Sequence, residues 1–185
     1  MKTSELTMTI EDWKAIPEDG NRYELIEGEI FGSRAPSLIH QLVITNLIAE
    51  FSVYLRNNPI GIVVTGPGMV FDEFNGVIPD LIFTTKQRRG AIAAGERLIV
   101  PPEIVIEILS PGSTNESRDR KTKRQLYARF GVQEYWIIDT EMKTIELYFL
   151  RNGILELEVT FSESDQITSM VLSDLRLDAK EIFNF

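Results

Sequence analysis

The chain predicts an α/β (α+β) fold, with a mixed central β-sheet flanked by helices. Strand-like and helix-like periodicities alternate along it, and several neighbouring strands are joined by hairpin turns. Residues 103–109 are apolar at successive positions, as in a central strand covered on both faces. One domain spanning 1–185 is expected, because no repeat, low-complexity tract or Pro/Gly/Ser-rich linker divides the chain.

Residues 9–16 read as a short helix, with Thr9 as cap and acids in the first turn. Residues 22–31 read as a hairpin around Glu27-Gly28, where glycine supplies positive φ. Over 36–57, Leu38, Leu42, Leu47, Phe51, Tyr54 and Leu55 recur at helical steps, which predicts one long amphipathic helix ended at Pro59. Residues 61–65 and 69–71 are short strands, and a turn at Asn75-Gly76 introduces a strand over 77–83. Residues 84–101 form a loop or short helix. The strand 103–109 is broken by Ser110-Pro111-Gly112, and a basic amphipathic helix follows over 114–130. Residues 134–139, 144–150 and 154–161 form a meander with a turn at Asn152-Gly153, and 177–183 a closing helix.

Composition excludes several chemistries. There is no cysteine, hence no disulfide, thiolate metal site or thiol nucleophile, and a single histidine, His40, rules out a multi-imidazole site. A bound metal must be held mainly by oxygen, which points to Mg²⁺, Mn²⁺ or Ca²⁺ and away from structural zinc. The N-terminus lacks the apolar core of a signal peptide, and no stretch reads as a span of ~20 apolar residues, so a cytoplasmic protein without membrane contact is expected. The net charge of −9 is unevenly spread: residues 86–129 carry +5 and the remainder −14. The basic segment either attracts a polyanion locally or is simply a solvated helix face.

Two acids stand out. Asp80 and Glu107 each sit within an apolar strand-like run, Val77 to Phe83 and Glu103 to Leu109. A buried carboxylate is costly unless paired or bound to a metal. If the strands are neighbours, the pair makes a divalent-cation site; taken singly, either acid is better explained by a strand end meeting solvent or arginine. In the following helix Asp119, Lys123 and Tyr127 fall at i, i+4 and i+8 along one face, so Lys123 is aimed either at the carboxylates or at Asp119 as a surface ion pair. Helical period turns Lys121 about 200° away.

Several ordered motifs carry a family resemblance: Tyr23-Glu24-Leu25-Ile26-Glu27-Gly28-Glu29, His40 opening a helix, Pro79-Asp80, Glu107-Ile108-Leu109-Ser110-Pro111, Arg118-Asp119, Lys123, Tyr127, and Gly131-Val132-Gln133-Glu134-Tyr135-Trp136-Ile137-Ile138-Asp139. Together they resemble the Uma-two family of putative restriction endonucleases, in the PD-(D/E)XK nuclease superfamily. The resemblance implies a restriction-endonuclease-like core and phosphodiester hydrolysis. It assigns the metal to Asp80 and Glu107, with the Ile108 carbonyl as a further ligand. The superfamily lysine should stand two residues after Glu107, where this chain has Leu109; the resemblance moves that function to Lys123. Glu24, His40, Asp119 and Tyr127 are expected to support the site, while Tyr135 and Trp136 belong to the core. Arg118, Arg120, Lys121 and Arg124 are expected to meet DNA.

The expected function is therefore a Mg²⁺- or Mn²⁺-dependent endodeoxyribonuclease, with DNA as partner and a homodimer as a candidate assembly. The rival readings are a catalytically inactive nuclease-fold module binding nucleic acid or protein, favoured by Leu109, and an acidic partner for a basic protein.

Overall fold

A computed structural model of the chain describes residues 7–33, 35–88, 99–109 and 116–185. The sequence expectations for 110–115, for the start of the basic helix and for 89–98 lie outside these residues. Helix α1 (Ile10–Lys14) is closed by a reciprocal cap between Thr9 and Asp12. Strands β1 (Arg22–Ile26) and β2 (Glu29–Ser33) form the expected hairpin, with Glu27 and Gly28 both at positive φ, as a two-residue reversal of this hand requires.

Helix α2 (Leu38–Asn57) begins at Ser37, whose hydroxyl accepts from the His40 amide at 3.2 Å. It corrects one expectation, because its length and mean hydropathy of 1.4 would suffice to cross a membrane by those criteria alone. One face, with Val43, Leu47 and Phe51, is buried in the core.

Strands β3 (Gly61–Thr65), β4 (Met69–Asp72), β5 (Asn75–Val77) and β6 (Leu81–Thr85) follow. The turn expected at Asn75-Gly76 falls two residues earlier. Asp72 makes it, its Oδ1 accepting from the Phe74 amide at 2.9 Å and from Asn75 Nδ2 at 2.7 Å. Gly76 serves packing: a Cβ there would stand 2.6 Å from the Trp13 ring and 2.8 Å from Ile10. Gly76→Ala is accordingly expected to cost about 1–3 kcal/mol, read as a lower urea midpoint at unchanged slope.

The strand expected over 77–83 is likewise two strands in two sheets. β5 pairs with β1 and β4 in a four-stranded antiparallel sheet ordered β2-β1-β5-β4. Pro79 has no amide to donate to a ladder, and the chain crosses at Ile78-Pro79-Asp80 into a second sheet.

That six-stranded sheet contains β7 (Ile104–Ile108), β8 (Glu134–Asp139), β9 (Thr144–Arg151) and β10 (Ile154–Ser162), in the order β10-β9-β8-β7-β6-β3. Only β7 and β8 run parallel, so the sheet is mixed. β7 sends Ile104, Ile106 and Ile108 to the core under α2, while Val105 and Leu109 face a second core with Leu126, Tyr127 and Tyr135. Glu107 falls in the register of the second set, a carboxylate where an apolar residue would otherwise pack.

The basic helix is not uniformly α-helical. Residues Arg118–Lys123 form a π-helical turn and Arg124–Arg129 continue as helix α3. The Tyr135 hydroxyl donates to the Asp119 carbonyl at 3.1 Å and ties this wider turn to β8. The closing helix is also shorter than expected: β12 (Leu177–Asp178) pairs with β11 (Gln166–Ile167), and only Ala179–Ile182 are helical, as α4.

Candidate active site

Four separate elements bring acids to one place. Glu24 comes from β1, Asp80 from the residue before β6, Glu107 from β7 and Asp119 from the π turn. They line a pocket of about 820 Å³, together with His40, Lys123, Arg118 and Arg22. The expected convergence of Asp80, Glu107 and Lys123 is therefore present. Asp80 precedes its strand instead of lying inside it.

Each acid is held by specific donors. Asp80 Oδ2 accepts from the Ile108 amide at 2.8 Å, which places its carboxylate beside the residue following Glu107. His40 Nε2 donates to Asp80 Oδ1 at 3.0 Å, since a carboxylate can only accept. Glu107 Oε1 accepts from Lys123 Nζ at 2.9 Å and from the Tyr127 hydroxyl at 2.6 Å, and Oε2 accepts no hydrogen bond from the described residues. Glu24 Oε1 accepts from the Ile78 amide and lies 2.9 Å from Lys123 Nζ. Asp119 Oδ1 is buried without a hydrogen bond, 3.6 Å from Lys123 Nζ and 3.8 Å from Arg118 Nε.

Lys123 thus stands among three carboxylates with its side chain only 4% exposed. Burial works against its charge, yet Glu107, Glu24 and Asp119 outweigh burial and raise its pKa above the ordinary lysine value. It is an ammonium at neutral pH. Burial pushes the Glu107 carboxyl up to about 8; Lys123 opposes the shift, and Asp80, Asp119 and Glu24 add to it. Asp119 is also raised, by burial first, against Lys123 and Arg118. Lys123 does not offset burial at Glu107, so in the metal-free protein that carboxyl holds its proton toward neutral pH. Burial, then the charge of Glu107, holds the Tyr127 phenol well above its usual value, so it stays a donor.

The linkage gives a signed expectation. Between the ordinary carboxyl value of 4.5 and about 8, the native state binds more protons than the unfolded chain. Stability is then fully present below the lower value and lost as pH rises through the upper. In EDTA the melting temperature should fall from about pH 5 to about pH 8. A rise across that window would contradict the buried placement of Glu107.

The basic residues divide. Arg118 lines the pocket, its Cζ 5.8 Å from the centre of the Phe31 ring. Lys121 is exposed, away from the cluster, as helical period predicts. Arg120 is paired with Glu146 and, at 3.5 Å, with Asp139. Arg124 lies 5.0 Å over the Tyr148 ring. Arg22, Ser37, Thr140 and Glu141 also line the pocket, and sequence reasoning did not single them out. Ser37 carried a usable signal, as a cap three residues before His40; the other three carried none.

The donor set suits a hard divalent cation. Among the described residues, Glu24, Asp80, Glu107, Asp119 and Glu141 line the pocket against Lys123, Arg118 and Arg22, a surplus of two negative charges with every acid ionised. Among the described residues nothing donates to Glu107 Oε2. Among the described residues no three of His, Asp and Glu form a ready cage. Mg²⁺ does not need one, since one or two carboxylates with several retained waters commonly hold it.

No curated protein matches the chain. Among solved structures, one described as a "putative nuclease belonging to DUF820" from Anabaena variabilis superposes with a TM-score of 0.78 at 20% identity, covering 96% of this chain and 98% of the other. The type IIG restriction endonuclease BpuSI gives a TM-score of 0.46 at 13% identity, over 78% of this chain and 15% of that one. The first shares the fold. The model of the Uma2 family, described as "Putative restriction endonuclease", matches residues 10–180 and supports a nuclease role. That span takes in every acid of the pocket and its lysine, and the chain belongs to the Uma2 family.

Proposed function

We propose that the chain is a Mg²⁺- or Mn²⁺-dependent endonuclease that hydrolyses DNA phosphodiester bonds in this pocket. The observation that carries the reading is the convergence of Asp80, Glu107 and Lys123, from three elements, on one pocket. Asp80 and Glu107 would hold the ion, with the Ile108 carbonyl beside them. When bound, such an ion polarises the phosphoryl oxygen and makes a bound water more acidic.

The chain's own groups do the rest. His40 and the Ile108 amide fix the Asp80 carboxylate. Tyr127 and Lys123 fix Glu107 Oε1 and leave Oε2 turned to its task. The Lys123 ammonium orients the attacking water and offsets charge developing on the phosphate. It supplies from the helix what Leu109, buried in the apolar layer, cannot supply from the strand. Arg118 and Arg22 are placed to meet phosphate oxygens in the pocket, and Lys121 to meet the backbone outside it.

Supercoiled plasmid incubated with the protein provides the test. Nicked and linear products are expected with Mg²⁺ or Mn²⁺, and neither in EDTA nor with Asp80→Asn. DNA left intact by wild type in both metals would overturn the reading and favour the inactive-module alternative.

A further inference from the structure

We infer that the Lys123 ammonium occupies the place of a second cation and restricts this centre to one divalent ion. The inference rests on the metal-binding reading above and adds the count. It comes from how unevenly the four acids are served. Lys123 Nζ lies 2.9 Å from Glu24 Oε1, 2.9 Å from Glu107 Oε1 and 3.6 Å from Asp119 Oδ1. These three oxygens surround the ammonium as they would surround a metal ion. A divalent ion seated among them would meet a fixed positive charge inside a buried site, where water screens little.

Asp80 is the exception. It has no ion pair with Lys123, and its partners are His40 and the Ile108 amide. Glu107 belongs to both halves, one oxygen committed to Lys123 and Tyr127, the other accepting no hydrogen bond from the described residues. The cluster is thus divided into a half already filled by the ammonium, bounded by Glu24 and Asp119, and a half beside Asp80 where no lysine or arginine of the described residues is ion-paired. Charge counting agrees: among the described residues, Glu24, Asp80, Glu107, Asp119 and Glu141 line the pocket against Lys123, Arg118 and Arg22, which with every acid ionised leaves two negative charges, the complement of one divalent ion. Glu24 and Asp119 accordingly serve the lysine and do not ligate the metal.

Mn²⁺ titration of the full chain, with free ion counted by electron paramagnetic resonance, tests this without reference to cleavage. Wild type is expected to take up one Mn²⁺. Lys123→Met, which keeps the length and apolar stem of the side chain and removes its charge, is expected to take up two. Glu24→Gln, which leaves Lys123 in place, is expected to keep one and needs no tolerance of a missing lysine. Two ions in wild type would overturn the inference while leaving the metal reading intact. One ion in a folded Lys123→Met, or loss of the ion in Glu24→Gln, would overturn it as well. No ion in wild type would overturn both.

Discussion

Lys123→Ala is expected to slow single-turnover plasmid cleavage in saturating Mg²⁺ by ~10²–10³-fold, the usual cost of one lost electrostatic contact to a transition state. Lys121→Ala is expected to leave the rate nearly unchanged. The two residues are neighbours in sequence and opposites in setting. Lys123 is buried against Glu24, Glu107 and Asp119, and Lys121 is exposed outside the pocket. Lys121→Ala should show itself in binding, with weaker affinity and a salt slope reduced by about one unit, as for a lost phosphate contact. Leu109→Lys, placed in the Lys123→Ala background, should restore part of the rate. Leu109 is two residues beyond Glu107 and packs with the same layer, so a lysine there would reach the cluster from the strand. Equal rates for Lys123→Ala and Lys121→Ala would show that the ammonium takes no part in the chemistry.

Without metal, Lys123→Ala is also expected to lose about 3–5 kcal/mol of stability, the range for removing one partner of a buried ion pair. The alanine leaves Glu24, Glu107 and Asp119 buried without the charge that stands among them. Glu107 and Asp119 respond by holding protons, because both already sit above their ordinary values while Lys123 is present. The loss should therefore be smaller at about pH 6 than at about pH 9, where holding those protons costs the variant more while wild-type Glu107 has already given its proton up. Urea denaturation in EDTA at the two pH values reads this directly. Added Mn²⁺ should return much of the stability, since an ion bound only by the native state stabilises it by mass action. A loss that grows toward low pH would contradict the account of the cluster.

Much of the site was legible because its residues break local rules. An acid inside an apolar strand, as at Glu107, has few explanations, and the pairing of acids with a lysine helix narrowed them further. The fold class followed from alternating periodicities, and the Glu27-Gly28 and Asn152-Gly153 reversals from glycine's tolerance of positive φ. What was not legible depended on distant partners. Asn75-Gly76 has the composition of a turn. Asp72 supplies the turn instead, and Gly76 is fixed by Trp13 from a different element. The continuous run Val77 to Phe83 hid a change of sheet that Pro79 alone announced. The π turn at Arg118–Lys123 has no periodic signature, because it depends on β8 holding Asp119 through Tyr135. Arg120 and Arg124 are expected from sequence to meet DNA; what the sequence does not display is that Glu146, Asp139 and Tyr148 engage them in space.

The central claim is that Asp80 and Glu107 form the divalent-ion site of a nuclease. It is tested most directly by anomalous scattering from crystals of the protein soaked in Mn²⁺. The expected result is one anomalous peak, with oxygens of Asp80 and Glu107 at roughly 2.0–2.6 Å from it and no second peak between Glu24 and Asp119. A peak on other residues, or none at a concentration that shifts the melting temperature, would contradict the claim.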